Sequence, residues 1–219
     1  MFRAFSAAWR EARPACVGLL VILGVGLWLR SPWLAALALV LLGWLATFFR
    51  DPERTPESPL PDVLLAPADG RVTAIETIVE PRYLEGPARR ISIFLSLWDV
   101  HVQRSPCDGV VRWLDYQPGT FAPAYSARAE RNESNLIGLE TAHGRVAVRQ
   151  VAGILARRIV CWPAVGDRVR RGQRLGLIKF GSRVDLFLPP HADVLVVVGQ
   201  PVRAGQTVVA RLPLDSARL

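Results

Sequence analysis

Hydrophobic positions along this chain form two unlike patterns, near-continuous apolar runs at the N-terminus and short alternating segments afterwards. Residues 16–29 and 33–49 are almost uncharged, and only Arg30-Ser31-Pro32 separates them. As helices rising 1.5 Å per residue, the two runs reach about 21 and about 26 Å, against a hydrocarbon core of about 30 Å. The pattern therefore predicts a membrane-anchoring hydrophobic helical hairpin over residues 1–49, which either crosses a locally thinned bilayer or re-enters it.

A proline-rich linker over residues 50–62 is predicted next, and the pattern beyond it favours strands. Apolar residues alternate with polar or small ones in short runs that glycines punctuate, which is typical of a mainly β domain. We expect this domain to cover residues 63–219. The predicted strands are 63–65, 71–78, 91–97, 110–116, 145–151, 174–180, 184–188 and 194–198, and the one predicted helix is the alanine-rich stretch 122–131.

Two internal sequence repeats refine the predicted fold of the β domain. Residues 165–173 resemble residues 198–206 at a period of 33, and residues 67–72 resemble residues 106–111. Such repeats indicate related hairpins that share a core, and they predict a flattened β-barrel or sandwich with lipoyl/biotinyl-like hairpins. A non-catalytic membrane adaptor barrel is the alternative from a different class. The modifiable lysine expected at a carrier hairpin is missing.

Charge and cysteine content narrow the partners. The formal net charge is +8, almost wholly from arginine, which favours an anionic partner. No zinc-finger, RNA-recognition or helix-turn-helix signature accompanies the scattered arginines, so we expect no nucleic acid. An anionic membrane surface fits better. The three cysteines lack paired spacing and the histidines lie far apart, so we expect a reducing compartment and no metal.

Arginines also flank the predicted hairpin on both sides. Arg3, Arg10 and Arg13 precede the first apolar run, and Arg50 and Arg54 follow the second. The positive-inside rule then places both flanks in the cytoplasm. We expect an inner-membrane protein whose β domain lies on the cytoplasmic face.

The pair Gly181-Ser182 carries the candidate chemistry. It lies between two strand-like runs, where glycine permits a sharp turn with unusual backbone angles. Such a turn would expose the Gly181 carbonyl to the hydroxyl of Ser182, a nucleophile that could attack its own chain. Gly-Ser is also a common structural turn.

The surrounding motifs favour a catalytic role for Gly181-Ser182 over a purely structural turn. They occur in one order over roughly residues 49 to 210, and together they resemble the phosphatidylserine decarboxylases of the short bacterial type. Those proteins are proenzymes that cut themselves to make a pyruvoyl group. The motifs are Phe49-Arg50-Asp51-Pro52-Glu53-Arg54, Ala66-Pro67-Ala68-Asp69-Gly70, Trp98-Asp99-Val100-His101-Val102, Asn132-Glu133, residues 151–161 and Phe180-Gly181-Ser182-Arg183.

This resemblance implies a specific carboxy-lyase. Cleavage between Gly181 and Ser182 would leave a heterodimer of chains 1–181 and 182–219, with further dimerisation left open. The pyruvoyl group made from Ser182 would form a Schiff base with phosphatidylserine and yield phosphatidylethanolamine and CO2. An archaetidylserine-type lipid decarboxylase is the alternative with a different substrate.

Roles for further residues also follow from the resemblance. Asp69 would belong to the self-cleavage apparatus and His101 would donate a proton during decarboxylation. Arg183 and Arg104 are candidates for binding the phosphate or carboxylate of the substrate. Longer members carry a second histidine where this chain has Arg104, so the base that activates Ser182 stays open among His101, another base and backbone strain.

Overall fold

A computed structural model describes residues 2–154, 158–179 and 181–213. The chain separates into two compact units, Met1–Pro52 and Glu53–Leu219. Residues 155–157 of the motif 151–161, Phe180, and residues 214–219 of the expected small chain lie outside the described residues.

The first unit is a pair of helices, as predicted. Helix α1 covers Phe2–Trp28 and helix α2 covers Pro32–Phe48. Helix α1 begins well before the predicted apolar run, and its segment Ala8–Trp28 is long and apolar enough to cross a membrane. Glycine lets the two helices approach closely, because a Cβ on Gly26 would lie 2.9 Å from the Ala35 nitrogen.

The second unit is a mainly β domain, which confirms the predicted class. An eight-stranded sheet curls into a half-barrel with the order β13-β2-β3-β11-β7-β6-β5-β9, and two three-stranded sheets have the orders β1-β14-β12 and β4-β10-β8. The strands are β1 Val63–Leu65, β2 Gly70–Glu80, β3 Gly86–Leu95, β4 Val102–Arg104, β5 Gly109–Gln117, β6 Ser134–Thr141, β7 Gly144–Val151, β8 Ile159–Cys161, β9 Arg168–Val169, β10 Arg174–Ile178, β11 Ser182–Leu188, β12 Asp193–Val194, β13 Pro201–Val202 and β14 Val208–Arg211.

The core lies where these sheets face one another. Alternating residues of β3 and β11 pack into the core from one face of the sheet, because successive side chains of a strand point to opposite faces. The main cluster includes Ile91, Ile93, Leu95, Val184, Leu186 and Leu188. This face also receives the side chain of the candidate nucleophile.

Two local predictions were wrong, and strands β4, β6, β8, β9, β13 and β14 were not predicted. The stretch 122–131 forms only a short 3-10 helix, Ala127–Arg131, since it lacks an apolar stripe and its Glu130 side chain pairs with arginines of β3, β7 and β11. Strand β6 was not predicted because its apolar residues Leu136 and Ile137 are adjacent and Gly138 follows them, so its sequence does not alternate. The predicted strand 194–198 ends at Val194. Beyond it Val196 packs in the core, while Val197 and Val198 are exposed.

The sequence repeats correspond to a duplication of the whole barrel. The eight-stranded sheet has equivalent strands from its two ends inward, so that β13, β2, β3 and β11 match β9, β5, β6 and β7. One half is continuous and consists of β4–β10. The other, which we call the split half, consists of β1–β3 and β11–β14, with the continuous half inserted between β3 and β11.

This duplication places the candidate cleavage site at the end of a strand pair. In the continuous half, Thr141 pairs with Gly144 at the tight turn between β6 and β7. In the split half, Leu95 pairs with Ser182 at the equivalent place. A break in the chain before Ser182 therefore leaves every strand pairing of the sheet intact.

Candidate active site

Ser182, the candidate nucleophile, begins strand β11 and lies in the core. It is fully buried, and its Oγ has no hydrogen-bond partner among the described residues. A buried hydroxyl without a partner is costly and calls for an explanation. The preceding Gly181 has φ of +60°, a left-handed conformation that glycine adopts without strain.

Strand geometry separates Ser182 from its neighbour Arg183. Side chains alternate along β11, so Ser182 shares the core face with Val184, and Arg183 lies on the opposite face. There Arg183 forms ion pairs with Glu130 at 2.8 Å and Asp185 at 3.0 Å. Its guanidinium would have to exchange one of these contacts to bind a substrate anion.

A cluster of charges covers this outer face. Glu130, on the 3-10 helix, binds Arg90, Arg149 and Arg183 at 2.7 to 2.8 Å. Burial raises the pKa of Glu130, but the three guanidinium charges outweigh it and lower that pKa to about 2. The cluster therefore fixes the segment before β6 against β3, β7 and β11 at neutral pH.

Asp69 lies just before β2 and is nearly buried. Its Oδ1 accepts a hydrogen bond from the Ala204 N–H at 2.8 Å, and its Oδ2 pairs with Arg54 at 2.8 Å. Burial raises the pKa of the Asp69 carboxyl, while the bonds from Ala204 and Arg54 oppose that rise. Strand β3 lies between β2 and β11, because Phe94 pairs with Arg71 on one side and with Arg183 on the other. The backbones of Asp69 and Ser182 are therefore separated by two strand spacings, about 10 Å.

His101 lies in the connection from β3 to β4 and is fully buried. Its Nδ1 is 2.9 Å from the Asp99 carbonyl oxygen, and the Asp99 side chain in turn accepts hydrogen bonds from the Ser96 N–H and hydroxyl. The His101 carbonyl accepts a hydrogen bond from the backbone N–H of Ile178, four residues before Ser182. The strand that leads into the cleavage site is thereby bound to the histidine segment.

Buried amide side chains support the same segment. Gln103 donates to the His101 carbonyl at 2.8 Å, Gln150 donates to Gln103 at 3.0 Å, and Asn135 donates to Gln150 at 3.0 Å. Since all three amides are buried, their mutual hydrogen bonds fix each one's orientation. Sequence reasoning did not single them out, because a glutamine inside a strand pattern gives no signal until the pairing register is known.

Arg104 occupies a structural position between the two halves of the barrel. It is buried, its guanidinium donates to the Gly172 carbonyl at 3.1 Å, and its side chain lies against Gly205. Gly172 and Gly205 are equivalent positions of the two halves, so Arg104 lies where the halves meet. Its predicted role as a substrate ligand stays a prediction.

These features together define a class of protein: a duplicated β-barrel with a buried serine, whose hydroxyl has no described hydrogen-bond partner, at a chain position where a break would be tolerated, as in proenzymes that cut themselves. The chain belongs to the phosphatidylserine decarboxylase family, whose model matches residues 41–210. It is 50% identical over 213 residues to a phosphatidylserine decarboxylase proenzyme of Symbiobacterium thermophilum, covering 93% of this chain and 95% of that protein. It is 48% identical over 195 residues to the proenzyme of the same name from Salinibacter ruber, covering 87% and 86%.

The family prediction from sequence is thus confirmed, and nothing in these comparisons favours the archaetidylserine or adaptor alternatives. Membership makes the protein a decarboxylase, a carboxy-lyase. The roles of Ser182, Gly181, Asp69, His101, Arg183 and Arg104 remain proposals. Among the residues that the structure describes, no group of His, Cys, Asp and Glu could hold a metal ion.

Proposed function

We propose that this protein converts phosphatidylserine to phosphatidylethanolamine and CO2 after cutting itself between Gly181 and Ser182. The observation that carries the proposal is the buried Ser182 hydroxyl, without a partner among the described residues, directly after a left-handed glycine in a member of this family. The two relatives bear the same substrate and the word proenzyme in their names.

Self-cleavage uses groups of the chain itself. The Ser182 Oγ attacks the Gly181 carbonyl carbon, the peptide C–N bond breaks, and the acyl group moves to oxygen as an ester. Loss of the Cα proton of Ser182 then expels the Gly181 carboxylate, and water replaces nitrogen, which leaves as ammonia. The new N-terminus of chain 182–219 is a pyruvoyl group.

The site fits a pyruvoyl group, because the fully buried Ser182 hydroxyl makes no hydrogen bond to a described residue that its conversion would break. When present, the pyruvoyl ketone supplies an electron sink for the bond that releases CO2. His101 is held by Asp99 with its ring buried, and we assign it the proton delivered to the substrate carbon. Arg183 and Arg104 are the proposed ligands for the phosphate or carboxylate of the lipid.

The two chains should stay together after cleavage. Strand β11, the first strand of the small chain, lies between β3 and β7 in the middle of the eight-stranded sheet. Its ladders continue beyond Ser182 to Leu188 on the β3 side and to Phe187 on the β7 side. We therefore propose a tight heterodimer of chains 1–181 and 182–219.

Membrane attachment is the remaining part of the proposal. Helix α1 provides one candidate span by length and composition, and the shorter apolar α2 follows it. With arginines on both flanks, we place the β domain at the cytoplasmic face of the inner membrane, where anionic lipid attracts each nearby Arg by about 1 kcal/mol.

Intact mass spectrometry of the purified full-length protein tests the function. We expect two fragments, the smaller one lighter by one ammonia than an unmodified 182–219 peptide, in a sample that releases CO2 from phosphatidylserine vesicles. Borohydride should reduce the ketone and stop CO2 release. An active sample with a single uncut chain would refute the mechanism, and a free serine amino group on the small chain would indicate simple hydrolysis.

Removal of residues 1–48 tests the membrane assignment. We expect the remaining protein to fold, since the unit Glu53–Leu219 has its own core. It should bind anionic vesicles only at low salt, because the attraction between surface charges is screened at high ionic strength. The full chain should stay in the membrane pellet at high salt. Release of the full chain by salt alone would show that the helices do not anchor it.

A further inference from the structure

The segment between the helices and the first strand is bound to the β domain rather than extended freely. Glu53 pairs with Arg174 at 3.0 Å, and the Glu57 N–H donates to the Gln206 carbonyl at 3.0 Å. The Glu57 carboxylate accepts from the Val208 N–H at 3.2 Å. Arg54 lies between these two acidic residues, and its side chain is only 12% exposed.

The duplication supplies an internal comparison for the partner of Arg54. Asp69 precedes β2, and Asp108 holds the equivalent place before β5. Asp69 accepts from the Ala204 N–H at 2.8 Å, and Asp108 accepts from the Arg171 N–H at 2.8 Å. In both halves the aspartate at this position therefore has the same structural role, which is to stabilise the turn by accepting a backbone hydrogen bond.

What distinguishes Asp69 from its counterpart is burial and Arg54. Asp108 is exposed, whereas the Asp69 side chain is 10% exposed and its second oxygen binds the Arg54 guanidinium at 2.8 Å. Arg54 is held in turn by Gln206, whose side-chain oxygen accepts from it at 3.3 Å. The half that contains Ser182 is thus the half in which this aspartate carries an ion pair.

The charge of Asp69 depends on few groups. Burial raises the pKa of its carboxyl, the Ala204 hydrogen bond and Arg54 lower it, and the carboxylate of Asp99 raises it. The Arg104 side chain lies against Gly205, and its guanidinium donates to the Gly172 carbonyl. Loss of Arg54 would remove one of the groups that lower the pKa of Asp69, while burial and Asp99 still raise it, so the carboxyl would take up a proton at higher pH.

We propose that Arg54 is a positioning residue for self-cleavage, which fixes the orientation and the negative charge of the Asp69 carboxylate. The inference rests on the proposed function, in which Asp69 takes part in maturation. A carboxyl group accepts a proton, directly or through a neighbouring group, only in its ionised form, and the ionised fraction falls about tenfold for each unit of pH below its pKa. Arg54 therefore sets the lowest pH at which the precursor matures.

The test follows self-cleavage of freshly synthesised full-length precursor over time, from pH 5.5 to 9. We expect Arg54→Gln to slow cleavage most at the acid end of this range, by about tenfold for each unit of pH below the raised pKa of the Asp69 carboxyl. Its pH–rate profile should move to higher pH and recover in alkali. Arg54→Lys, which keeps the charge and loses the fork geometry, should recover part of the rate.

Three further variants make the outcome decisive. Glu53→Gln removes the adjacent ion pair to Arg174 and should cleave at the wild-type rate. Asp108→Asn changes the equivalent turn and should also cleave normally, whereas Asp69→Asn should leave uncut precursor. Normal cleavage of Asp69→Asn would overturn the role of Asp69 itself. Two results would overturn the role of Arg54 alone, provided that Asp69→Asn is not cleaved. One is an Arg54→Gln variant with an unchanged rate and pH profile, and the other is an Arg54→Gln variant that is slowed equally at every pH.

Discussion

Ser182→Ala should yield a single uncut chain with decarboxylase activity at background. The substitution removes the only atom that we propose as nucleophile, and loss of a covalent nucleophile costs on the order of 10⁶-fold in well-studied enzymes. The fold should survive, because the Oγ is buried without a partner among the described residues, so its removal breaks no hydrogen bond to them. Gel mobility, intact mass and thermal melting of the same preparation measure the three expectations.

Ser92→Ala is the matched control for this experiment. Ser92 is also a buried strand serine whose Oγ has no described partner, but it lies within β3, opposite Asp185 rather than at a chain turn. It should self-cleave and decarboxylate as the wild type does. Cleavage of Ser182→Ala at the original site would exclude the hydroxyl mechanism, and loss of cleavage in Ser92→Ala would show that the assay reports packing.

His101→Ala should separate maturation from turnover. If the imidazole delivers the proton during decarboxylation, CO2 release from the cleaved enzyme should fall about 10²- to 10⁴-fold. The cleaved fraction should fall less, since Asp69 and the turn at Gly181 remain. Both quantities are measured on one sample, so that activity is expressed per pyruvoyl-bearing small chain.

Two companion variants guard against a packing artefact. His101 is fully buried, so its truncation to alanine also creates a cavity that costs stability. His101→Gln keeps more of the bulk and should show the same loss of CO2 release. His191→Ala, at an exposed position, should be silent. Full activity per cleaved chain in both His101 variants would remove the histidine from the mechanism, and a complete block of cleavage would assign it to maturation instead.

Local sequence patterns were sufficient for the helical hairpin, most of the strands and the candidate serine. The apolar runs before residue 50 have no polar face to turn toward water, so they predict helices that lie in a membrane. Alternation with a period of two marks β2, β3, β5, β7 and β11, because apolar side chains face the core on one side of each strand and more polar side chains lie on the other. Gly181-Ser182 was recognisable because a nucleophile after a glycine is a local feature of the chain.

Contacts between distant segments could not be read in this way. Arg54 appeared as a flanking charge of the hairpin, and the structure instead pairs it with Asp69, fifteen positions away in sequence. Glu130 appeared in a predicted helix, and the structure pairs it with arginines from three strands. The side-chain type was visible in each case, but its partner depends on strand order.

The sequence by itself determined the fold class, the repeat at a period of 33 and the family, because these depend on periodicity and on motifs that are short and ordered along the chain. Only the tertiary structure decided that the repeat is a duplicated barrel with one half inserted into the other. It alone placed Ser182 opposite Leu95 at the end of a strand pair, and it alone distinguished Asp69 from Asp108. The physical reason is that strand register and burial arise from long-range pairing, and the same Asp-Gly turn is exposed in one half and covered by Arg54 in the other.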